Sequence, residues 1–442
     1  MREAIYSFMS VRMWLPLVLI VVSTALLPIP VSAAEAAASG SPYTPVSSGP
    51  DAAEMANALM PAIRLDIEEE FNDNIYLVDS GGKSDFITRT SLVVEWKRAD
   101  PVWSFDLNYR PSYAYYADNH ERDELRHAVT FAGGLTIVRD LLFLDVTDNY
   151  QRITLDTRKN TVGISDFVGQ TDANELVLHP YMRRTLPELG VVEAGYRYAN
   201  TESSEAAATD RQSHVADVKL DLAFGKRLGV GAMYRYGKTF SDNTSYDYDS
   251  NYYGLVIDYY FTPLIRAKAG AAVERLNSDI GSAARGTLWT AAVGYKPAES
   301  REIAYGYEQS YANSTLLGVY KIGRHKMALL AGRSAKFHLE LESRLEEYLR
   351  EERRNRINAM NASLTFSIAR NFEARMTGGY AVSQYVPENE NVRRANVEIS
   401  GRWNASRYLA FRAMCRHVNE DSGISGKGFV NNVAMVGVNA AF

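Results

Sequence analysis

Charged side chains able to hold a hydrated solute recur at every second position along this chain. Arg64, Asp66 and Glu68 stand two apart, Arg110 lies four beyond Asp106, and Lys219 follows Asp217. Arg266 and Lys268 repeat the spacing, and Glu398, Arg402, Arg412 and Arg416 carry it toward the C-terminus. Arg197, Arg235 and Asp258 stand in similar runs. Residues two apart share one face of an extended strand. The chemistry on offer is that of a wet wall, whose mixed signs argue against a strongly anion- or cation-selective filter.

Catalytic and metal chemistry finds little support. The seven histidines, His120, His127, His179, His214, His325, His338 and His417, include no pair at HxxxH spacing. No CxxC is present, Cys415 is the one cysteine, and it falls on a predicted lipid-facing parity. The neighbours Ser213 and His214 read as a chance pair, since a triad is assembled in space and adjacency in sequence does not report one, and no glycine-rich phosphate loop occurs. The expectation is a non-enzymatic protein without cofactor or metal. A formal net charge of −5 over 442 residues gives nucleic acid no basic patch to bind.

The elements that must position these charges are strands. In VWSFDLNYRPSYAY, Trp103, Phe105, Leu107, Tyr109, Tyr113 and Tyr115 point one way; Ser104, Asp106, Asn108, Arg110 and Ser112 point the other. The same code returns in HVADVKLDLAF and IRAKAGAAVE. About twenty such runs follow, from 62–76 to 428–442, including 323–334 and 337–349. Each is long enough to cross a bilayer at a tilt, which takes roughly 9–11 residues. Short connections such as VRD, LPE and GKR alternate with longer polar ones, the asymmetry of an outer-membrane barrel. Unpaired backbone in hydrocarbon costs several kcal/mol per group, so a spanning sheet must close on itself.

The predicted fold is therefore all-β: a transmembrane antiparallel up-and-down barrel of about twenty strands, eighteen to twenty-two, over residues 62–442. Trp96, Trp103, Trp289 and Trp403 are expected beside the short turns as a girdle. Residues 1–33 have the layout of a cleaved secretory signal, and 34–61 read as a flexible periplasmic lead. A membrane anchor is the competing reading of the first segment, disfavoured by Pro16, Pro28 and Pro30. The lead is too short for the plug domain of a TonB-dependent transporter, so a water-filled interior is expected.

Three stretches leave choices open. HLELESRLEEYLREERRNRIN fits a strand, with His338, Glu340, Glu342, Arg344 and Glu346 inward, or an amphipathic helix. Asp145 and Asp148 cannot both face the interior without a bulge. The first strand is acidic and the last three are basic, so closure implies ion pairs at the seam or a transverse field across the pore.

The third long connection, from Leu155 to Thr171, could fold inward. Asp156, Arg158, Lys159 and Asp166 would then form a constriction; a plain surface loop is the alternative. The closing residues MVGVNAAF place Val436, Val438, Ala440 and Phe442 on one face and Gly437 on the other. This run resembles the C-terminal strand signal of outer-membrane proteins, which implies the barrel-assembly machinery as a partner.

A second resemblance lies at the start of the barrel. Asp73-Asn74-Ile75-Tyr76-Leu77, a short loop, then Ser84-Asp85-Phe86-Ile87-Thr88 look like the opening of a family of outer-membrane barrel porins found with exosortase/PEP-CTERM and exopolysaccharide gene clusters. The resemblance implies a Gram-negative outer-membrane location and a role in passage or assembly of exported polysaccharide, and it supplies no catalytic residues. The expected partners are outer-membrane lipid and lipopolysaccharide, with polysaccharide or small hydrophilic solutes inside. The leading reading is a porin-like passive channel; the alternative is a non-conducting scaffold barrel of an envelope secretion or polysaccharide assembly system.

Overall fold

The computed structural model describes residues 60–155, 164–165, 168–205, 208–242, 246–278, 284–314, 318–333, 335–350, 352–424 and 426–442. The predicted signal and nearly all of the lead lie outside them.

Twenty antiparallel strands follow in chain order. The first seven are β1 (Ala62–Asn72), β2 (Asp85–Ala99), β3 (Trp103–Tyr116), β4 (Glu124–Val138), β5 (Leu142–Thr154), β6 (Gln170–Leu186) and β7 (Gly190–Ser203). Next come β8 (Arg211–Phe224), β9 (Leu228–Ser241), β10 (Tyr248–Thr262), β11 (Ile265–Asn277), β12 (Ala284–Ala298), β13 (Arg301–Ser314) and β14 (Gly318–Ala331). The last six are β15 (Ala335–Tyr348), β16 (Arg354–Ala369), β17 (Phe372–Val386), β18 (Glu390–Asn404), β19 (Leu409–Ser422) and β20 (Phe429–Ala441).

Each strand pairs with the next, and β1 pairs with β20 from Arg64↔Ala441 to Asn72↔Val433, so the sheet is a closed barrel. The Phe442 amide adds a bond to the Ile63 carbonyl at 2.8 Å. Closure pairs β1 with β20 and so removes the two free edges an open sheet would have, which is what a spanning sheet requires.

Side-chain parity carries around the ring without a break. On β1, Asp66 and Glu68 are buried while Ile63, Ile67 and Phe71 are exposed. A wall one sheet thick has nothing outside to cover a residue, so the buried carboxylates face inward. Tyr113, Tyr115, Tyr253, Leu255, Ile257 and Ile399 stand exposed on the outer face. The exposed Cys415 lies on the outer parity of β19, opposite Ile399 of β18.

Several expectations need amending. β1 ends at Asn72 rather than 76, because the Asn74 amide turns back to the Asn72 side chain at 3.0 Å and Leu77 takes a positive φ of 52°. β14 begins at Gly318 rather than 323, since Val319 to Ile322 pair with β13 instead of forming a loop. Trp289 stands toward the long-loop end of β12, away from the short turns, and marks the opposite rim of the outer face. The charged stretch after Ala335 is strand β15, bonded to β14 and β16 along its length, and it is not a helix. The β5–β6 register is unbroken through residues 145–148, so Asp145 faces in and Asp148 lies on the other face.

Three of the seven histidines, His127, His214 and His325, are accounted for by packing. Tyr109 with His127, Tyr196 with His214, and Tyr305 with His325 form outward hydrogen bonds at 2.9, 2.5 and 2.8 Å. In each case the histidine stands opposite the residue two beyond the tyrosine. Amphipathic rings with polar tips suit a membrane-facing rim.

The barrel interior as candidate functional site

All thirteen predicted lining residues fall on the inner parity. Near the short-turn end, Arg64 bonds Asp66 at 2.8 Å, Arg110 approaches the same carboxylate at 3.8 Å, and the Asn439 amide donates to it at 2.8 Å. Glu68 pairs with Arg412 at 2.5 Å. These contacts join β19 and β20 to β1 and β3, so the opposed charges of the first and last strands meet as ion pairs at the seam.

Around the ring, Lys219 pairs with Asp221 at 2.7 Å and Arg235 with Glu274 at 3.4 Å. Asp258 accepts from Arg266 Nε at 2.8 Å and stands opposite Lys268. Arg197 lies opposite Val215 and lines an inner-wall cavity of about 810 Å³ with Asp145, His179 and Tyr181. Glu398 stands opposite Arg416, and Arg402 opposite Arg412. Arg402 Nε donates to Asn404 at 3.1 Å.

A further ladder on β13–β15 was not singled out from the sequence as part of the site. Arg324 lies 3.4 Å from Glu308 and 3.6 Å from Glu342, Lys326 2.9 Å from Glu340, and Arg344 3.0 Å from Glu346. Its signal was the alternation of Glu and Arg in the stretch that could also be wound as a helix. Many of these charges face a partner of opposite sign, so the wall is largely self-neutralised. Among the described residues no group of histidine, cysteine and carboxylate side chains could hold a metal ion.

The long-loop end is narrowed from two sides. The connection after β1 turns into the mouth, where Ile75 is buried against Ile87, Ala114 and Tyr116 of the inner wall. Asn74 holds it there by donating to the carbonyls of Val78 at 2.7 Å and Val430 at 2.9 Å. Asp85 anchors the neighbouring connection, accepting from the backbone amides of Asp118 and Asn119, each at 3.0 Å, and from the Asn119 side chain at 2.7 Å. The residues that carry the porin-family resemblance thus form the buckle of the mouth. Across it, Arg211 of β8 donates to the Ser314 carbonyl at 2.5 Å, and Asn313 bonds Tyr248 of β10 at 3.0 Å.

The predicted constriction residues Asp156, Arg158, Lys159 and Asp166 lie outside the described residues. Their neighbour Ser165 is buried and donates to the Ile75 carbonyl at 3.1 Å. At the C-terminus, Val438 and Ala440 are outward, Gly437 is inward beneath Glu68, and Phe442 is exposed.

A closed antiparallel barrel with an apolar outside and a charged, cross-paired inside is an outer-membrane-type β-barrel of porin-like build. Residues 352–442, covering β16 to β20, match the family described as "Putative beta-barrel porin 2". No curated protein matches the chain. Solved structures with this fold include two variants of the ferric enterobactin receptor PfeA from Pseudomonas aeruginosa. The first is 9% identical with a TM-score of 0.52, the second 8% identical with 0.51; in both, 87% of this chain covers 80% of the other. At these identities the likeness speaks for the fold alone.

Proposed function

We propose that this chain is a passive, porin-like channel of the Gram-negative outer membrane, serving the outward passage of exopolysaccharide. The observation that carries the channel reading is the inner wall of the twenty-strand cylinder, on which ion pairs such as Arg64–Asp66, Arg235–Glu274 and Arg344–Glu346 recur. Such a wall solvates polar molecules, and a barrel of this strand number is wide enough to pass them unless loops fill it. The polysaccharide part of the proposal is supported by the family resemblance at Asp73–Leu77 and Ser84–Thr88.

A second reading is a non-conducting scaffold barrel, favoured by the burial of Ile75 in the mouth and by the Arg211–Ser314 contact across it. Planar-bilayer conductance of the purified protein, with and without polysaccharide, separates the two. Discrete openings that polysaccharide interrupts support the channel; a silent bilayer with folded protein inserted supports the scaffold.

A further inference from the structure

The wall is not zipped to its full height everywhere. β12 and β13 pair from Ala298↔Arg301 to Thr290↔Glu308, leaving residues 284–289 and 309–314 facing one another beyond that point. Their other edges stay paired to the end, at Leu276↔Ala284 and Ser314↔Gly318. The end of β13 is drawn toward the inner wall, where Asn313 meets Tyr248 and Ser314 meets Arg211. Tyr311 occupies the parting: a Cβ on Gly286 of β12 would collide with the Tyr311 hydroxyl.

The two sides of the parting differ in chemistry. Inside stand the Arg235–Glu274 pair and Tyr252, whose ring lies 4.8 Å from the Arg235 guanidinium. Outside, a groove of about 510 Å³ runs in the outer wall past Leu220, Ala232, Leu255, Ala271 and Val273 to Thr287 of β12. At the foot of the parting Trp289 is 54% exposed, as befits a ring at the boundary between hydrocarbon and headgroups. Unpaired backbone is too costly in hydrocarbon, so an open stretch belongs at headgroup level or beside a polar lining.

A second parting shows what a sealed one looks like. β4 and β5 stop pairing at Val129↔Tyr150, but Arg152 bonds Asp172 of β6 at 2.8 Å and Glu124 of β4 at 2.6 Å, latching the edges with charge. Between β12 and β13 a neutral tyrosine takes that place.

We propose that the β12–β13 parting is a lateral slot through which an amphiphile, with a polar head and an acyl chain, exchanges between the lumen and the surrounding lipid. The slot rests on the membrane placement proposed above but not on conductance. Its head would meet Arg235, Glu274 and Tyr252, its chain the outer groove, and Tyr311 stands in the doorway.

The test is photocrosslinking of the full chain in vesicles of phosphatidylethanolamine and phosphatidylglycerol, with p-benzoylphenylalanine placed in turn at Tyr252, Leu255 and Tyr181. Leu255 on the outer wall should capture phospholipid, Tyr252 on the inner wall should capture it too, and Tyr181 on the inner wall of β6 should not. The Tyr311 side chain spans the gap to Gly286, so cysteines at these two positions are too far apart for a direct disulfide. A Gly286→Cys, Tyr311→Cys pair in a Cys415→Ser background should instead be bridged by a bismaleimide with a reducible disulfide in its spacer. Capture at Tyr252 should then fall about tenfold and return on reduction, because a closed wall excludes lipid. Heat-modifiable gel migration checks that each variant is folded. No capture at Tyr252, equal capture at Tyr181, capture indifferent to bridging of the cysteine pair, or a pair that the spacer does not bridge would each overturn the slot. Conductance plays no part in this readout, so failure of the channel reading leaves the result interpretable.

Discussion

Arg412 on β19 reaches over β20 to Glu68 on β1, and Gly437 is the residue it passes above. A Cβ at 437 would lie 3.1 Å from the Glu68 side chain and 3.4 Å from that of Arg412. The strand between two partners therefore has to present hydrogen where the pair crosses. The pair is partly exposed, so its worth is discounted for solvent screening. Arg412→Ala should destabilise the barrel by about 1–2 kcal/mol, mostly through the buried Glu68 carboxylate it strands. Glu68→Ala with Arg412→Ala should cost less than the sum of the two single changes. Urea unfolding in vesicles, followed by tryptophan fluorescence, measures the cycle; full additivity would show that the two do not interact.

The buckle at the mouth makes a different prediction. Asn74→Ala removes the donors to Val78 and Val430 and should cost about 1–3 kcal/mol locally. The expected outcome is new protease cleavage between Leu77 and Lys83 while the barrel itself stays resistant. Asp85→Ala should loosen the connection around Asn119, and Asp85→Asn, which keeps an acceptor oxygen, should restore part of the protection.

Parity can be read with two adjacent residues. Met376 is exposed on the outer face of β17, whereas Thr377 faces in, opposite Glu398. Met376→Arg should lower stability by about 2–4 kcal/mol if it sits near the bilayer midplane. Thr377→Arg should be close to neutral because Glu398 is there to meet it. Equal effects from the two changes would contradict the assigned faces.

Deleting residues 158–168 examines the third long connection. If Asp156, Arg158, Lys159 and Asp166 form a constriction, single-channel conductance should rise; unchanged conductance would assign them to the surface. Loss of Ser165 should also free the Ile75 carbonyl it bonds.

The strands were legible because a membrane barrel writes its code locally. Each of Trp103, Phe105 and Leu107 declares its face by parity, and the turn between β4 and β5 or β6 and β7 is too short to be anything else. The closed ring then follows from backbone satisfaction, without any long-range information. What could not be read depends on contacts distant in sequence. The turn that ends β1 is made locally, by the Asn74 amide on the Asn72 side chain, but it is held in the mouth by Asn74 donating to Val430, 356 residues away, which alternation cannot show. Trp289 was assigned to the wrong rim because an aromatic at an interface does not say which interface. The parting of β12 from β13 goes with the contacts of Arg211 and Tyr248 to the end of β13, which alternation cannot report.

The bond from Phe442 to Ile63 places the two terminal strands side by side at the same rim. The ring thus has no geometrically privileged starting point, and the hydrogen bonds that close it join the segments farthest apart along the polymer. A permuted chain with Ala441 tethered to Ala62 and new ends cut in the β2–β3 turn should reach the same cylinder. Its rate-limiting step would change, since the most distant contact would already be made before insertion begins.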